Sequence, residues 1–166
     1  MRIECVRIGA VRICLALMLG LLLVSGYVVT PILFDKAGSS EIAGMLAGQL
    51  FHTANSGLLI LAVAIVFFWF RMASAGISIG KLRWLLLLAV ALMVAANEFA
   101  LTPILADLKQ QIGDMSSVSK DDPQRQLFGM WHGAASLLHL LTTLCAGLLV
   151  ALGTGSTRCK QEPEKA

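Results

Sequence analysis

The sequence predicts an all-α integral membrane protein, a four-helix transmembrane bundle. Four stretches carry almost no charged side chains, and each exceeds the roughly 20 residues that span a hydrocarbon core about 30 Å thick. Hydrophobic residues make up 57% of the 166 residues, charged residues 14%, and the mean hydropathy is +0.80. Soluble domains rarely reach these values. The approximate predicted spans are 13–34, 42–70, 84–106 and 127–154.

The spans are interpreted as one membrane domain, residues 13–155, because no segment outside them is long enough to bury a core of its own. Residues 1–12 are predicted to form a basic cytoplasmic segment, and residues 156–166 a cytoplasmic tail. The first apolar run is longer than the roughly 7–15 residues of a signal-peptide core, so we interpret it as an uncleaved helix.

The basic residues predict an orientation. Nine of the 13 Lys and Arg side chains fall on one side of the predicted spans, and the positive-inside rule places that side in the cytoplasm. Both termini are therefore predicted to be cytoplasmic, in a multi-pass protein of the cell membrane such as a bacterial inner membrane. The lipid bilayer is the expected partner, with anionic headgroups near the basic residues, and nucleic acid is not. The nine residues are Arg2, Arg7, Arg12, Arg71, Lys81, Arg83, Arg158, Lys160 and Lys165.

Short sequence words repeat along the chain. The word Thr-Pro-Ile-Leu occurs at 30–33 and 102–105, and Gln-Leu-Phe occurs at 49–51 and 126–128. The first word ends spans that run outward, and the second opens spans that run inward. This order predicts two helical hairpins that are parallel copies, related by a pseudo-twofold axis along the membrane normal.

Several residues predict where helices bend, begin or pack. Pro31 and Pro103 are expected to kink or end their helices. Asp122 before a proline is typical of a helix N-cap, and Ser39 or Ser40 is expected to cap the second span. Two GxxxG motifs indicate helix packing, either within the bundle or against a membrane-protein partner or a second copy. These motifs consist of Gly44 with Gly48, and Gly129 with Gly133.

Four ionisable residues lie inside the predicted spans, namely Glu98 and the only three histidines of the chain, His52, His132 and His139. Ionisable groups in lipid are unfavourable unless they face the bundle interior and pair with one another. We therefore predict that the four converge in the outer half of the bundle. The expected supporting polar residues are Asn55, Asn97, Ser136 and Thr143. On the fourth span, four residues recur at intervals of four, three and four and are predicted to form one polar stripe, namely His132, Ser136, His139 and Thr143.

Three interpretations of this cluster stay open. Imidazoles and a carboxylate can bind a transition metal, and two histidines can hold haem, so our working hypothesis is a metal or haem site. The alternative is a scaffold or accessory subunit that docks a partner through its GxxxG faces, with the histidines as interhelical hydrogen-bonding groups. The third is proton or small-solute passage. No standard catalytic motif is present, so no catalytic residue is assigned and an enzyme is not favoured.

The order of these motifs resembles that of a known family. Pro31 to Phe34, Gly48 to Phe51, Pro103 to Leu105 and Phe128 to Ser136 resemble the four-span domain-of-unknown-function 4149 family, which is similar to transmembrane protein 205. The resemblance covers about residues 9–153 and implies a membrane protein without an established activity. A looser similarity links it to copper-resistance D proteins and membrane protoporphyrinogen oxidases. The family pattern extends to Pro31, Phe34, Gly48, Phe51, Pro103, His132, Gly133 and Ser136, whereas His52 and His139 are additional to it.

Overall fold

The computed structural model describes residues 3–113, 115, 117–119 and 121–153. This part of the chain forms four long helices and contains no strand. They are α1 (Ile3–Lys36), α2 (Ser40–Ala73), α3 (Lys81–Ile112) and α4 (Pro123–Leu152), and each is long and apolar enough to cross a membrane. The prediction of an all-α, four-span membrane protein is therefore confirmed.

The helices are longer than the predicted spans. Helix α1 has 34 residues, about 51 Å at 1.5 Å per residue, whereas the hydrocarbon core is about 30 Å thick. The predicted spans ended at the first charged residues, but an α-helix satisfies its own backbone hydrogen bonds and continues into the headgroup region. The predicted basic segment 1–12 is accordingly helical from Ile3 onward.

The four helices form a ring in chain order. Helices α1 and α2 pack together, as do α3 and α4, and the ring closes through contacts between α2 and α3 and between α1 and α4. Short connections join successive helices, so neighbouring helices run in opposite directions. We call the end that holds Ile3, Ala73, Lys81 and Leu152 the terminal end, and the opposite end the distal end.

The apolar core fills the terminal half of the bundle and reaches its middle. Trp69 of α2 is buried there against Trp84 of α3, with ring centroids 4.9 Å apart. Each helix buries one stripe of apolar residues against its neighbours and leaves the rest of its apolar surface for lipid. The buried cluster consists of Ile8, Val11, Leu15, Met18, Leu22, Leu58, Ala62, Ile65, Trp69, Met72, Leu87, Val90, Val94, Ala146 and Leu149.

Each hairpin is held at the terminal end by an arginine. In the first hairpin, Arg7 Nη1 donates to the carbonyl oxygen of Arg71 at 3.1 Å. In the second, Arg83 Nη2 donates to the carbonyl oxygen of Leu152 at 2.9 Å. Both carbonyls lie in the last turn of a helix, where no further helical N–H groups are available to them and a positive charge is favourable.

Side-chain caps start the two helices that begin at the distal end. The Ser39 hydroxyl accepts from the amide of Ile42 at 3.2 Å. The Asp122 carboxylate accepts from the amides of Gln124 and Arg125 at 2.8 and 3.2 Å. Both predicted caps are confirmed, with Ser39 rather than Ser40 at the start of α2.

Helices α1 and α3 each contain a π-helical turn, at Val24–Val29 and Asn97–Leu101. Each turn is followed directly by a Thr-Pro pair. A proline has no N–H, and its ring clashes with the carbonyl four residues earlier, so a wider turn with i→i+5 hydrogen bonds accommodates it.

Threonine closes both π turns in the same way. The backbone N–H and hydroxyl of Thr30 both donate to the Ser25 carbonyl, and those of Thr102 donate to the Asn97 carbonyl. Pro31 and Pro103 therefore do not end their helices, which continue to Lys36 and Ile112. This shared device supports the predicted parallel repeat of the two hairpins.

The GxxxG glycines do not bring helices of this chain together. A Cβ atom added to Gly48, Gly129 or Gly133 would meet no atom within 4 Å, and at Gly44 it would meet only Lys109 Nζ at 3.5 Å. Within the described residues these positions are open. The predicted role of these glycines in helix packing can therefore concern only contacts with another molecule.

The arginine contact of the second hairpin is testable. Replacing Arg83 with Ala removes a charged donor from the Leu152 carbonyl, and we expect a loss of about 1 kcal/mol in the free energy of unfolding. Thermal unfolding in detergent micelles measures the change. Arg71→Ala is the matched control because the Arg71 side chain is exposed, and equal destabilisation by both variants would contradict the role assigned to Arg83.

Candidate functional site

A buried carboxylate lies between the two hairpins. Glu98 sits in the π-helical turn of α3 and is only 8% exposed. Its Oε1 contacts Nδ1 of His52, and its Oε2 accepts a hydrogen bond of 2.9 Å from Nδ2 of Asn55. Both partners belong to α2 in the other hairpin. Both carboxylate oxygens are thus held by side chains from a neighbouring helix.

His52 covers this carboxylate on the outside of the bundle. Its side chain is 68% exposed, whereas that of Glu98 is 7% exposed. Because Nδ1 faces Glu98, the second ring nitrogen, Nε2, is the only polar atom of the ring left for an outside group. The imidazole therefore links a buried acid to the bundle surface.

The pair lies close to the middle of the membrane. His52 is four residues to the distal side of Ser56, the midpoint of the α2 stretch without formal charge, Ile42 to Phe70. Glu98 is three residues to the distal side of the midpoint of the α3 stretch Trp84 to Ala106. At 1.5 Å per residue both lie about 5 Å from the centre, well inside a hydrocarbon core whose half-thickness is about 15 Å.

One proton fits between Glu98 and His52. Asn55 donates to Oε2, so the shared proton lies between Oε1 and Nδ1, either on the carboxyl group or on the ring. When Nε2 also carries a hydrogen, both groups are neutral in the first case and form an ion pair in the second. Two isolated charges at this depth would be strongly unfavourable, so the contact allows the acid to persist in the membrane.

On the distal side of His52, the surface of α2 carries two glycines in place of larger side chains. Gly44 and Gly48 precede His52 at four-residue intervals on α2, and no atom of the described residues of a neighbouring helix lies within 4 Å of the place where a Cβ of Gly48 would be. Lys109 of α3 closes the upper end of this strip, with Nζ donating to the Glu41 carbonyl at 3.4 Å. The missing side chains at the two glycines leave His52 reachable from that direction.

His139 occupies a different place, against the π turn of α1. Its Nε2 donates to the carbonyl of Leu22 at 3.1 Å. Its ring lies between Tyr27 and Phe51, with centroid distances of 5.7 and 5.3 Å. The ring fits only because Gly26 has no Cβ, since that atom would lie 2.8 Å from Cδ2 and closer still to Nε2.

The outer part of the predicted α4 stripe is not part of either contact. His132 is exposed and stacks on Phe128, with ring centroids 5.8 Å apart. The Ser136 hydroxyl donates to the carbonyl of His132, and that of Thr143 to the carbonyl of His139, both at 2.9 Å. Ser136 is exposed and Thr143 buried, so burial increases along the stripe towards the terminal end.

The predicted convergence is therefore only partial. The structure brings His52, Glu98 and Asn55 together, and it places His139 and His132 in separate surroundings. Asn97 is half-buried and contributes its carbonyl to the π turn. Within the described residues, no group of three His, Cys, Asp or Glu side chains lies close enough to hold a metal ion.

Sequence reasoning missed the contact between Gly26 and His139. A usable signal was present in the repeat, because the spacing of 72 residues between the two Thr-Pro words places Gly26 where the second hairpin has Glu98. At this position the first hairpin has a glycine where the second has an acid. This difference indicates that a bulky side chain from a neighbouring helix fills the space that the carboxylate fills in the second hairpin.

Comparison with known proteins identifies the family. A family model described as a domain of unknown function, DUF4149, matches residues 13–114, more than half of the chain. The chain belongs to the DUF4149 family. No curated protein and no solved structure matches it.

The family match divides the candidate residues. It contains the whole of α2 and α3 and most of α1, including His52, Asn55 and Glu98. It ends before α4, so His132 and His139 lie outside the matched segment. The contact of Glu98 with its two partners is therefore built entirely from residues of the matched segment.

The hydrogen bonds of Glu98 can be tested by two substitutions. Glu98→Leu leaves the buried Asn55 amide without its acceptor, and we expect a loss of about 1–3 kcal/mol in the free energy of unfolding. Glu98→Gln keeps an acceptor for Asn55 and a donor for His52, so its loss should be clearly smaller. Thermal unfolding in lipid nanodiscs compares them. Equal losses would show that the hydrogen bonds do not stabilise the fold.

The fit of His139 against Gly26 can be tested by a double-mutant cycle. Gly26→Ala should destabilise the protein because its Cβ overlaps the imidazole, and His139→Ala in the same chain should relieve that overlap. Gly20→Ala is the matched control in α1, since a Cβ there meets no atom within 4 Å. Chemical unfolding of all four variants gives the coupling energy, and a value near zero would contradict this arrangement.

Proposed function

We propose that this protein binds and releases a proton inside the membrane, with Glu98 as the proton-binding acid and His52 as the group that exchanges the proton with the outside. The single observation that supports this is the contact between a buried carboxylate and an exposed imidazole near the centre of the bilayer. An intramembrane acid held by a histidine is typical of proton relays in pumps and transporters.

The two nitrogens of His52 suit a relay. When Glu98 is a carboxylate and the neutral ring carries its hydrogen on Nδ1, a proton that adds to Nε2 allows the Nδ1 proton to move to Oε1. The products are a neutral carboxyl group and a neutral ring that carries its hydrogen on Nε2, and the reverse sequence releases the proton. Asn55 holds the second carboxylate oxygen in place, so the acid keeps its orientation whether or not it is protonated. The chemistry requires no cofactor.

The exchange proposed here is one-sided. On the terminal side of Glu98, Val94, Val90 and Leu87 occupy successive turns of α3 and are buried in the apolar core. A proton on Glu98 thus meets closely packed aliphatic side chains in that direction. We propose binding and release on the His52 side, and passage across the membrane only through a rearrangement of the bundle.

The metal and haem hypotheses stay predictions with weaker geometric support. Of the four proposed ligands, only His52 and Glu98 are adjacent, and two protein ligands are fewer than a closed transition-metal site uses. His139 already donates one nitrogen to a backbone carbonyl, which is also the usual second contact of a ligating histidine. The scaffold hypothesis and the similarity to transmembrane protein 205 likewise stay predictions.

Orientation and membrane also belong to the proposal. The excess of Lys and Arg near the terminal end supports a cytoplasmic location of both termini. In that orientation, His52 and Glu98 lie in the outer half of the membrane. Exchange through His52 would then involve the outside of the cell, with a bacterial inner membrane as the proposed location.

Infrared difference spectroscopy tests the proposed proton site. The purified protein in nanodiscs is stepped through a range of pH, and the C=O band of a protonated carboxyl group in a dry environment is recorded. We expect a pH-dependent band that disappears in Glu98→Gln and that responds more slowly in His52→Phe after a rapid pH jump. The matched control is Glu41→Gln, which makes the same chemical change at the exposed start of α2.

The outcomes separate clearly. A band that persists in Glu98→Gln, or a response unchanged in His52→Phe, would overturn the proposal. Proton flux into liposomes, measured with a pH-sensitive dye on the same variants, then distinguishes binding alone from coupled passage. Retained helicity and unfolding temperature in each variant establish that a lost signal does not reflect a lost fold.

A further inference from the structure

Four polar side chains lie on the outward face of α2 in its distal half, next to the exposed apolar residues Met45 and Leu46. Gln49, His52, Thr53 and Ser56 are all exposed there. Towards the terminal end the same face continues with exposed apolar residues, including Ile60, Val63 and Phe67. A helix face turned towards lipid is normally apolar along its whole length, so the polar segment between these apolar stretches indicates a different neighbour there.

The polar residues of this face lie within the hydrocarbon core. Ser56 is the midpoint of the α2 stretch without formal charge, and Gln49 is seven residues closer to the distal end, about 10 Å at 1.5 Å per residue. The half-thickness of the core is about 15 Å. These side chains therefore face lipid tails rather than water if the bundle is alone.

Three polar groups of this face have no hydrogen-bond partner within the described part of the chain. The Thr53 hydroxyl donates to the Gln49 carbonyl at 3.0 Å, but no bond satisfies the Gln49 amide, His52 Nε2 or the Ser56 hydroxyl. In hydrocarbon, each unsatisfied polar group costs several kcal/mol. A neighbour that can both donate and accept hydrogen bonds would remove that penalty.

The spacing of these residues suits a second helix. Gln49, His52 and Ser56 are separated by three and four residues, which is the seam of a left-handed pair of parallel helices. Gly48 lies next to Gln49 and has open space where a side chain would be, so another backbone can approach closely. Small residues with hydrogen-bonding side chains are the usual composition of helix interfaces in membranes.

We propose that two copies of this chain associate through this face of α2, about a twofold axis along the membrane normal. A second copy is the occupant that the chemistry favours, because a carboxamide is both donor and acceptor. Two Gln49 amides related by a twofold axis can satisfy each other. All the polar residues of the face are formally uncharged apart from a titratable imidazole, so two identical faces do not repel one another.

The proposed dimer completes the surroundings of the acid site. In the dimer, polar side chains of the second copy would replace lipid beside His52, and the two His52–Glu98 pairs would lie on either side of the axis. The dimer does not rest on the proposed proton exchange, since its evidence is the α2 face alone. Either can fail without the other, because Gln49 has no hydrogen bond to Glu98 or Asn55 within the described residues.

Single-molecule photobleaching tests the dimer. The full chain with a fluorescent label is reconstituted into phosphatidylethanolamine–phosphatidylglycerol liposomes over a wide range of protein-to-lipid ratios, which gives a dissociation constant in the membrane. We expect a reversible dimer and a dissociation constant about tenfold higher in Gln49→Leu. Gln49→Asn keeps the amide and should recover most of the affinity.

The matched control is Gln126→Leu, the same substitution at an exposed position of α4, which should leave the dissociation constant unchanged. Leucine is well tolerated on a lipid-facing surface, and the helicity of each variant is checked by circular dichroism. A chain that is monomeric at all ratios would overturn the proposal, and so would a dimer that Gln49→Leu does not weaken. Equal weakening by both variants, or a lipid-soluble molecule bound at His52 in a monomer, would also overturn it.

Discussion

The absence of water in the hydrocarbon core constrains this structure more than any other factor, because every polar group there must find its partner within protein. The two π turns show how the chain meets this requirement. Thr30 and Thr102 each direct two donors at one carbonyl, and Ser25 donates to the Leu21 carbonyl at 2.6 Å. His139 then reaches from another helix to the Leu22 carbonyl. A π turn leaves some backbone carbonyls without their usual α-helical N–H partner. Each of these side chains donates a hydrogen bond to a carbonyl in or near such a turn.

The same constraint gives the two hairpins different roles. Both carry a π turn before Thr-Pro, but the position that is Gly26 in the first is Glu98 in the second. In the first hairpin an imidazole from α4 fills the space above the glycine and stabilises the turn. In the second, the acid occupies that space and needs a donor from α2. One π turn is thus fixed by packing, whereas the other retains a titratable group whose partner is exposed.

Charge and hydropathy predicted the helix number, the alternation of helix direction and the caps at Ser39 and Asp122, since these depend on local chemistry. The helices extend beyond the predicted apolar spans, to include Arg7 in α1 and Lys109 in α3. The polar residues of α4 share one face of the helix, as predicted. Only those nearer the terminal end, His139 and Thr143, are half-buried or buried by other helices. Helical spacing fixes the direction of a side chain but not how far the neighbouring helices extend beside it. The contact of Glu98 with α2 followed from the rarity of acids in lipid.

The internal repeat separates features that the fold requires from those that it does not. Arg7 and Arg83 recur at the terminal end, and the threonine-closed π turns recur in the distal half, so both hairpins need them for stability. The pattern His-x-Ala-x-Ser also recurs, at 52–56 and 132–136, but only His52 faces an acid. His132 instead stacks on Phe128, and Gly26, which corresponds to Glu98 in the first hairpin, lies against His139. The contact of Glu98 with His52 and Asn55 therefore has no counterpart in the first hairpin within the described residues, and the repeat alone does not explain it.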